Sequence, residues 1–200
     1  MARYLGSIRK LARNSGGTLD GYPKTIGMKR SYPSGQHGQG RKKKSEYALQ
    51  LLEKQKVKRT YGVLEKQFAR YYDYATRKKG VTGTVLLQRL ESRLDNVVYR
   101  AGFAWSRPQA RQMVTHAHFL VNGHKVDIPS IILKPGDVVT VRERSKGLVK
   151  ETVARFAASN VPHWVTADAT ELTFRINQLP EREDMDQSFN EQLIIEFYSR

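Results

Sequence analysis

Cysteine is absent from the 200 residues, which excludes disulfides and thiolate metal sites and removes any argument for an oxidising compartment. No apolar run approaches the roughly 18 residues of a membrane span, and Met1 to Leu11 lacks the apolar stretch of a secretory signal. A soluble, unprocessed chain of the cytosol or an organelle matrix is the expectation. Acid is scarce: 19 Asp and Glu face 35 Lys and Arg, for a net charge of +16 and a pI near 10.1. Such a chain repels itself unless a polyanion neutralises it, and nucleic acid is the commonest one. The imbalance is uneven. Residues 1–44 hold eleven Lys and Arg against one acid, whereas residues 147–200 hold five against nine, so the basic footprint is N-terminal and central. A membrane surface is the weaker partner, because the basic segments lack a continuous apolar face opposite their cations.

Catalytic signatures are missing too. There is no Ser-His-Asp arrangement, no nucleophile elbow and no phosphate-loop fingerprint, and the glycines of residues 35–40 neither follow a strand nor end in Gly-Lys-Ser/Thr. His116, His118 and His124 cluster without a carboxylate or thiolate at metal spacing, and neighbouring arginines oppose a dication. They read as hydrogen-bond donors to RNA or as helix caps, with no cofactor and no metal. Glu181, Glu183, Asp184 and Asp186 read as a mobile solvated loop that meets a basic neighbour.

What is present is concentrated between Ser106 and Val126. Ser106 with Gln109 three residues on forms a capping box, and Pro108 fits a first turn whose N–H groups lack intrahelical partners. Ala110, Met113, Val114 and Ala117 mark an apolar stripe, and Arg107, Arg111 and Gln112 are expected off it. Phe119 to Val121 and Lys125 to Ile128 flank Asn122-Gly123, the dipeptide suited to the positive φ angles of a type I′ hairpin. The unit holds cations and donors on a rigid frame.

Around it, residues 1–44 show no sustained period and are expected as an extended basic arm with short helical turns at most, mobile until it meets RNA. Ser45 caps a helix to about Arg59 with Tyr47, Leu51 and Leu52 inward and Lys54, Lys56 and Lys58 mostly outward. A second helix spans about Val63 to Lys78, with Leu64, Phe68, Tyr71, Tyr72 and Ala75 as its stripe. A third runs unbroken from Thr84 to Gly102 on Leu86, Leu90, Leu94 and Val98. Strands are expected over Val138–Arg144 and Glu171–Ile176, and a helix over about Leu148–Ala158 with Val149, Val153 and Phe156 on one side. The last helix, near Glu191–Tyr198, carries Leu193, Ile194 and Phe197 and needs a partner surface. The class is α+β: a helical lobe, an inserted small antiparallel sheet with helices, and the basic arm. The boundaries expected are 1–44 for the arm, 45–91 for the lobe completed by 188–200, 92–176 for the module and its following strand, and 177–187 for the acidic loop.

Cations, donors and stackable rings mark the expected RNA contacts. In the arm they are Arg3, Tyr4, Arg9, Lys10, Arg13, Tyr32, Gln36, His37, Arg41, Lys42, Lys43 and Lys44. On the lobe they are Lys54, Lys58, Arg59 and Arg70. On the module they are Ser106, Arg107, Gln109, Arg111, Gln112, His116, His118, Asn122 and Lys125. Of these Arg107, Arg111 and Lys125 stand out, since short rigid elements hold them and Arg presents a planar fork to phosphate.

From Val81 to Lys134 the chain carries VTG, then LESRLDNVVYRAGFAWSRPQARQMVTHAHFLVNGHKVDIPS, with PGD following at 135–137. Together with MARY, YPSGQHGQ, EKQK, LPERED and NEQLIIEFYSR, this resembles the family of small-subunit ribosomal protein number four of bacteria and organelles, in its zinc-free form, with the RNA-binding module named after it. The resemblance spans the whole chain. It implies a primary binder of small-subunit ribosomal RNA that clamps a multi-helix junction, nucleates assembly of the subunit body and supports translational accuracy with ribosomal protein number five, near the path by which messenger RNA enters. It also implies that the C-terminal helix returns to pack on the lobe. Ser34 departs from a proline usual in the YPPGQHG pattern, and the four N-terminal cysteines of zinc-binding members are absent. The same module occurs in RNA-modifying enzymes and in a synthetase, but an enzyme needs a catalytic domain for which too few residues remain. A free-standing binder of stalled ribosomes or DNA is the third reading, and the basic arm argues against it.

Overall fold

A computed structural model describes residues 4–30, 32–40, 43–155 and 161–199. Arg3, Arg41, Lys42 and Phe156, all named above, lie outside the described residues. The chain forms two compact units, Met1–Leu86 with Asp186–Arg200, and Leu87–Met185.

In the first unit the arm is more structured than its sequence suggests. Ile8–Asn14 is a helix, α1, and Ala12, Leu19 and Tyr22 form a small core of their own with Ile8, Leu11 and Met28 against it. The buried Thr25 hydroxyl donates to Tyr22 O at 2.8 Å and accepts from Leu19 N at 3.1 Å. The expectation of an extended arm is corrected here: Ile8, Leu11 and Ala12 have helical spacing, hidden among polar neighbours. α2, Glu46–Thr60, starts at Ser45, whose hydroxyl accepts from Ala48 N. α3, Glu65–Thr76, buries Phe68, Tyr71, Tyr72 and Ala75, while Leu64, assigned to that stripe, is the exposed N-cap residue.

The returning helix α8, Glu191–Tyr198, opens on the Asn190 side chain and covers α2. Ile194 is fully buried, Phe197 meets Tyr47 at 5.6 Å, and Tyr198 stacks on Tyr72 at 4.5 Å. Gln50 Nε2 donates to Glu196 Oε2 at 3.1 Å, and Glu53 Oε1 accepts from Asn190 N at 3.0 Å. The apolar face of the last helix thus has its partner.

α4, Thr82–Glu91, leads into the second unit. The single helix expected from Thr84 to Gly102 is two, because Arg93 takes extended backbone and α5 begins at Leu94, running to Arg100. The break is made by a distant segment: Arg93 bridges Ile132, Leu94 N donates to Ile131 O at 2.8 Å and Leu133 N to Ser92 O at 2.9 Å. α6 is Arg107–Thr115. Among the described residues five strands follow in an antiparallel sheet ordered β2-β1-β3-β5-β4: β1 Phe119–Val121, β2 His124–Val126, β3 Val138–Val141, β4 Val165–Asp168 and β5 Thr173–Ile176. Helix α7, Lys146–Arg155, lies between β3 and β4.

Asn122 and Gly123 both have positive φ, 48° and 82°, and Val121 pairs with His124, as the type I′ reading requires. Phe103, Phe119, Trp164, Leu172 and Phe174 are buried in one core with the apolar sides of α5 and α6. Three further corrections belong to this unit. β3 ends at Val141, because Glu143–Ser145 is a 3-10 turn. β4 was not foreseen. The acidic segment is built, not loose: Glu181 N donates to Asp184 Oδ2 at 2.8 Å around a 3-10 turn, and Met185 beside it is buried.

Candidate nucleic-acid interface

Helix α6 starts as its sequence demands. Ser106 Oγ accepts from Gln109 N at 3.3 Å, and Gln109 Oε1 returns the favour one residue earlier than a capping box does, accepting from Trp105 N at 2.9 Å. Both side chains therefore hold the backbone of the helix start.

The arginines of this helix do not lie where the sequence suggested. Arg107 is buried; its Nε donates to Asn96 Oδ1 at 2.8 Å and its guanidinium sits over Tyr99, 4.8 Å from the ring centre. Arg111 is partly covered and donates to Asp95 Oδ2 at 3.1 Å. Asp95 also accepts both prongs of the buried Arg93, at 3.0 and 2.7 Å. Glu91 closes the network, accepting from Arg100 at 2.8 and 3.1 Å and from Asn96 Nδ2 at 2.5 Å. A charge buried away from water is stable only when paired and hydrogen-bonded, and Arg93 with Asp95 and Arg100 with Glu91 meet that condition. The sequence carried the signal in LESRLDNVVYR, where Glu91, Asp95 and Arg100 alternate with apolar residues, but that spacing alone names no partner.

Three lobe residues expected at the interface also turn inward. Lys54 is buried and its Nζ donates to Glu65 Oε1 at 2.7 Å, under the Phe197 ring at 4.3 Å. Lys58 Nζ donates to Glu65 Oε2 at 2.7 Å. Arg59 Nη1 donates to Ser15 Oγ at 2.8 Å, tying α2 to the arm; burial lowers its pKa. The outward placement of Lys54 is thereby corrected: the C-terminal helix covers it. In the arm, Arg13 Nε donates to Tyr32 O at 2.8 Å and Nη2 to Pro33 O at 3.1 Å, with the guanidinium 5.1 Å from the Tyr32 ring centre. Arg9 Nε donates to Lys24 O at 3.0 Å, its side chain otherwise exposed. Asn122 is a brace: Nδ2 donates to Asp137 Oδ1 and Oδ1 accepts from Val138 N, both at 2.9 Å.

What remains open to solvent is Tyr4, Lys10, Gln36, His37, Lys43, Lys44 and Arg70 in the first unit, and Gln112, His116 and Lys125 in the second. His118 is half-buried, its Nδ1 2.8 Å from Ser145 Oγ. Among the described residues no three His, Asp or Glu stand together as a metal-binding group, and no helix is long and apolar enough to cross a membrane.

Residues 3–91 match the family described as "Ribosomal protein S4/S9 N-terminal domain", and residues 92–139 match the "S4 domain". The chain is 52% identical over 208 residues to small ribosomal subunit protein uS4A of Symbiobacterium thermophilum, and 53% identical over 202 residues to small ribosomal subunit protein uS4 of Cutibacterium acnes. A third relative, from Thermodesulfovibrio yellowstonii, is 50% identical over 208 residues. Each comparison covers the whole of both chains.

Proposed function

From the premise that the chain belongs to the small ribosomal subunit protein uS4 family, a structural and non-enzymatic component of the small subunit, we propose that it clamps a multi-helix junction of small-subunit ribosomal RNA. Binding at that junction nucleates assembly of the subunit body and, with ribosomal protein number five, supports accurate decoding close to incoming messenger RNA. The host is a bacterial cytoplasmic ribosome or an organelle ribosome of the same type.

The observation that carries this reading is the sorting of the cations. The buried Lys54 and Arg93 have carboxylate partners and the buried Arg107 rests on Asn96 and Tyr99, whereas Lys10, Lys43, Lys44, Arg70 and Lys125 are exposed, where phosphates can reach them. Contacts of this kind position a protein on folded RNA and read its shape more than its bases. If about six to ten phosphates are neutralised, affinity for small-subunit ribosomal RNA falls on the order of 10³ to 10⁵ between about 50 and 200 mM salt. Filter binding of the full chain across that range tests it, and an affinity indifferent to salt overturns the electrostatic clamp. Subunit reconstitution with this protein left out tests the assembly role: late proteins of the body then fail to join.

A further inference from the structure

At the C-terminal end of α6 the fold gathers positive charge that the RNA contacts named above only partly include. His116 is the C-cap residue of that helix. The chain then passes through Ala117 at a φ of 55°, an unusual backbone for a residue with a side chain, and enters β1 just after His118. Arg142, at the end of β3, is stitched to this turn twice: its N–H donates to His118 O at 2.9 Å and its Nη1 to Ala117 O at 3.2 Å. The 3-10 turn that follows brings Ser145, buried, to His118 Nδ1 at 2.8 Å, and leaves Arg144 exposed. The two imidazoles lie 6.0 Å apart.

The groups facing His118 are therefore His116 from the α6 end, Arg142 from the β3 end, and Arg144 and Ser145 from the turn. The one carboxylate of that turn, Glu143, is 86% exposed and pairs with Lys146 at 2.6 Å. Arg142 and Arg144 both disfavour charge on the His118 ring, and an anion seated among these groups offsets that repulsion. We propose that His116, His118, Arg142 and Arg144 form a second phosphodiester site for RNA on the module, distinct from the α6 start and the hairpin tip.

The proposal rests on the reading of the chain as an RNA binder. A phosphate seated here offers negative charge to both guanidinium groups and an acceptor to imidazolium. Burial first, then His116, Arg144 and Arg142, hold the His118 pKa below the ordinary histidine value, so the ring is neutral at pH 7.5 in the free protein. A bound phosphate favours the charged ring, and binding then takes up a proton.

The experiment is binding of the full chain to small-subunit ribosomal RNA over a salt series at pH 7.5 and pH 5.5, for wild type, Arg144→Gln and His118→Gln. Arg144→Gln is expected to bind about tenfold more weakly at low salt and to flatten the slope of log affinity against log salt by about one, with an unchanged thermal melt. Wild type is expected to gain affinity on acidification beyond the gain of His118→Gln. An unaltered slope in Arg144→Gln, or matching pH profiles for wild type and His118→Gln, overturns the site while leaving the RNA-binding reading intact. Failure of wild type to bind at all overturns that reading instead. An unaltered slope together with lost incorporation of Arg144→Gln into subunits assigns the corner to an acidic protein and overturns the RNA assignment.

Discussion

Glu65 receives Lys54 and Lys58 at 2.7 Å each and the Tyr198 hydroxyl at 2.9 Å. Burial alone would raise its pKa, but the hydrogen bonds from those three groups and the charge of Lys58 win and bring it to about 2. The Tyr198 phenol is pushed above its usual range by burial and by the same carboxylate. A depressed carboxylate contributes stability that is complete above its unfolded value and is lost as pH falls. That loss runs from about pH 4.5 down through about pH 2. Glu65→Gln leaves the buried Lys54 ammonium without its countercharge and is expected to cost about 1–2 kcal/mol near pH 7, the figure for a buried pair reduced because Glu65 is half exposed. Urea midpoints measured at pH 7 and pH 3 check it: the gap between variant and wild type narrows in acid. Arg107 is a second case. Its burial on Asn96 and Tyr99 makes Arg107→Ala a folding variant, lowering stability by about 2 kcal/mol in the same assay, where the sequence had suggested a contact residue. Composition and spacing reveal how many cations a segment has. Which of them turn inward depends on acids that come from elsewhere in the chain.

Local elements were legible where their signals are local. The Ser106 cap, the Asn122-Gly123 hairpin and the amphipathic α3 and α8 all follow from residues a few positions apart. The helix break at Arg93 was not, because it depends on hydrogen bonds from residues 131–133, and the uninterrupted leucine spacing argued for continuity. β4 escaped because VTAD is too short and too polar to alternate visibly. The hairpin yields a paired prediction. Gly123→Ala meets nothing within 4 Å and costs only the backbone strain of a φ of 82°, about 1 kcal/mol. Asn122→Ala removes both bonds of the brace to Asp137 and Val138 and is expected to cost more, about 1–2 kcal/mol. It should also speed amide exchange along β1 and β2, and an order of stability with Gly123→Ala the weaker variant contradicts this account.

At the scale of the whole chain, charge has opposite effects on stability and on binding. A net charge of +16 destabilises the free protein through self-repulsion, which salt screens, while the same salt competes for the RNA. Raising KCl from about 50 to 300 mM is therefore expected to raise the melting temperature of the free chain by a few degrees while weakening its RNA complex. Differential scanning of the free protein beside the binding series checks the two signs.

The helical unit is discontinuous, Met1–Leu86 being joined by Asp186–Arg200 across the intervening module, and its Glu65 knot needs Tyr198. During synthesis α2 and α3 leave the exit tunnel long before the helix that covers Lys54 exists. The sheet module emerges next, with all five of its strands in one uninterrupted stretch of chain. Maturation of the nascent polypeptide thus runs inside out: the inserted part can settle first, and the part begun earliest waits for the residues made last.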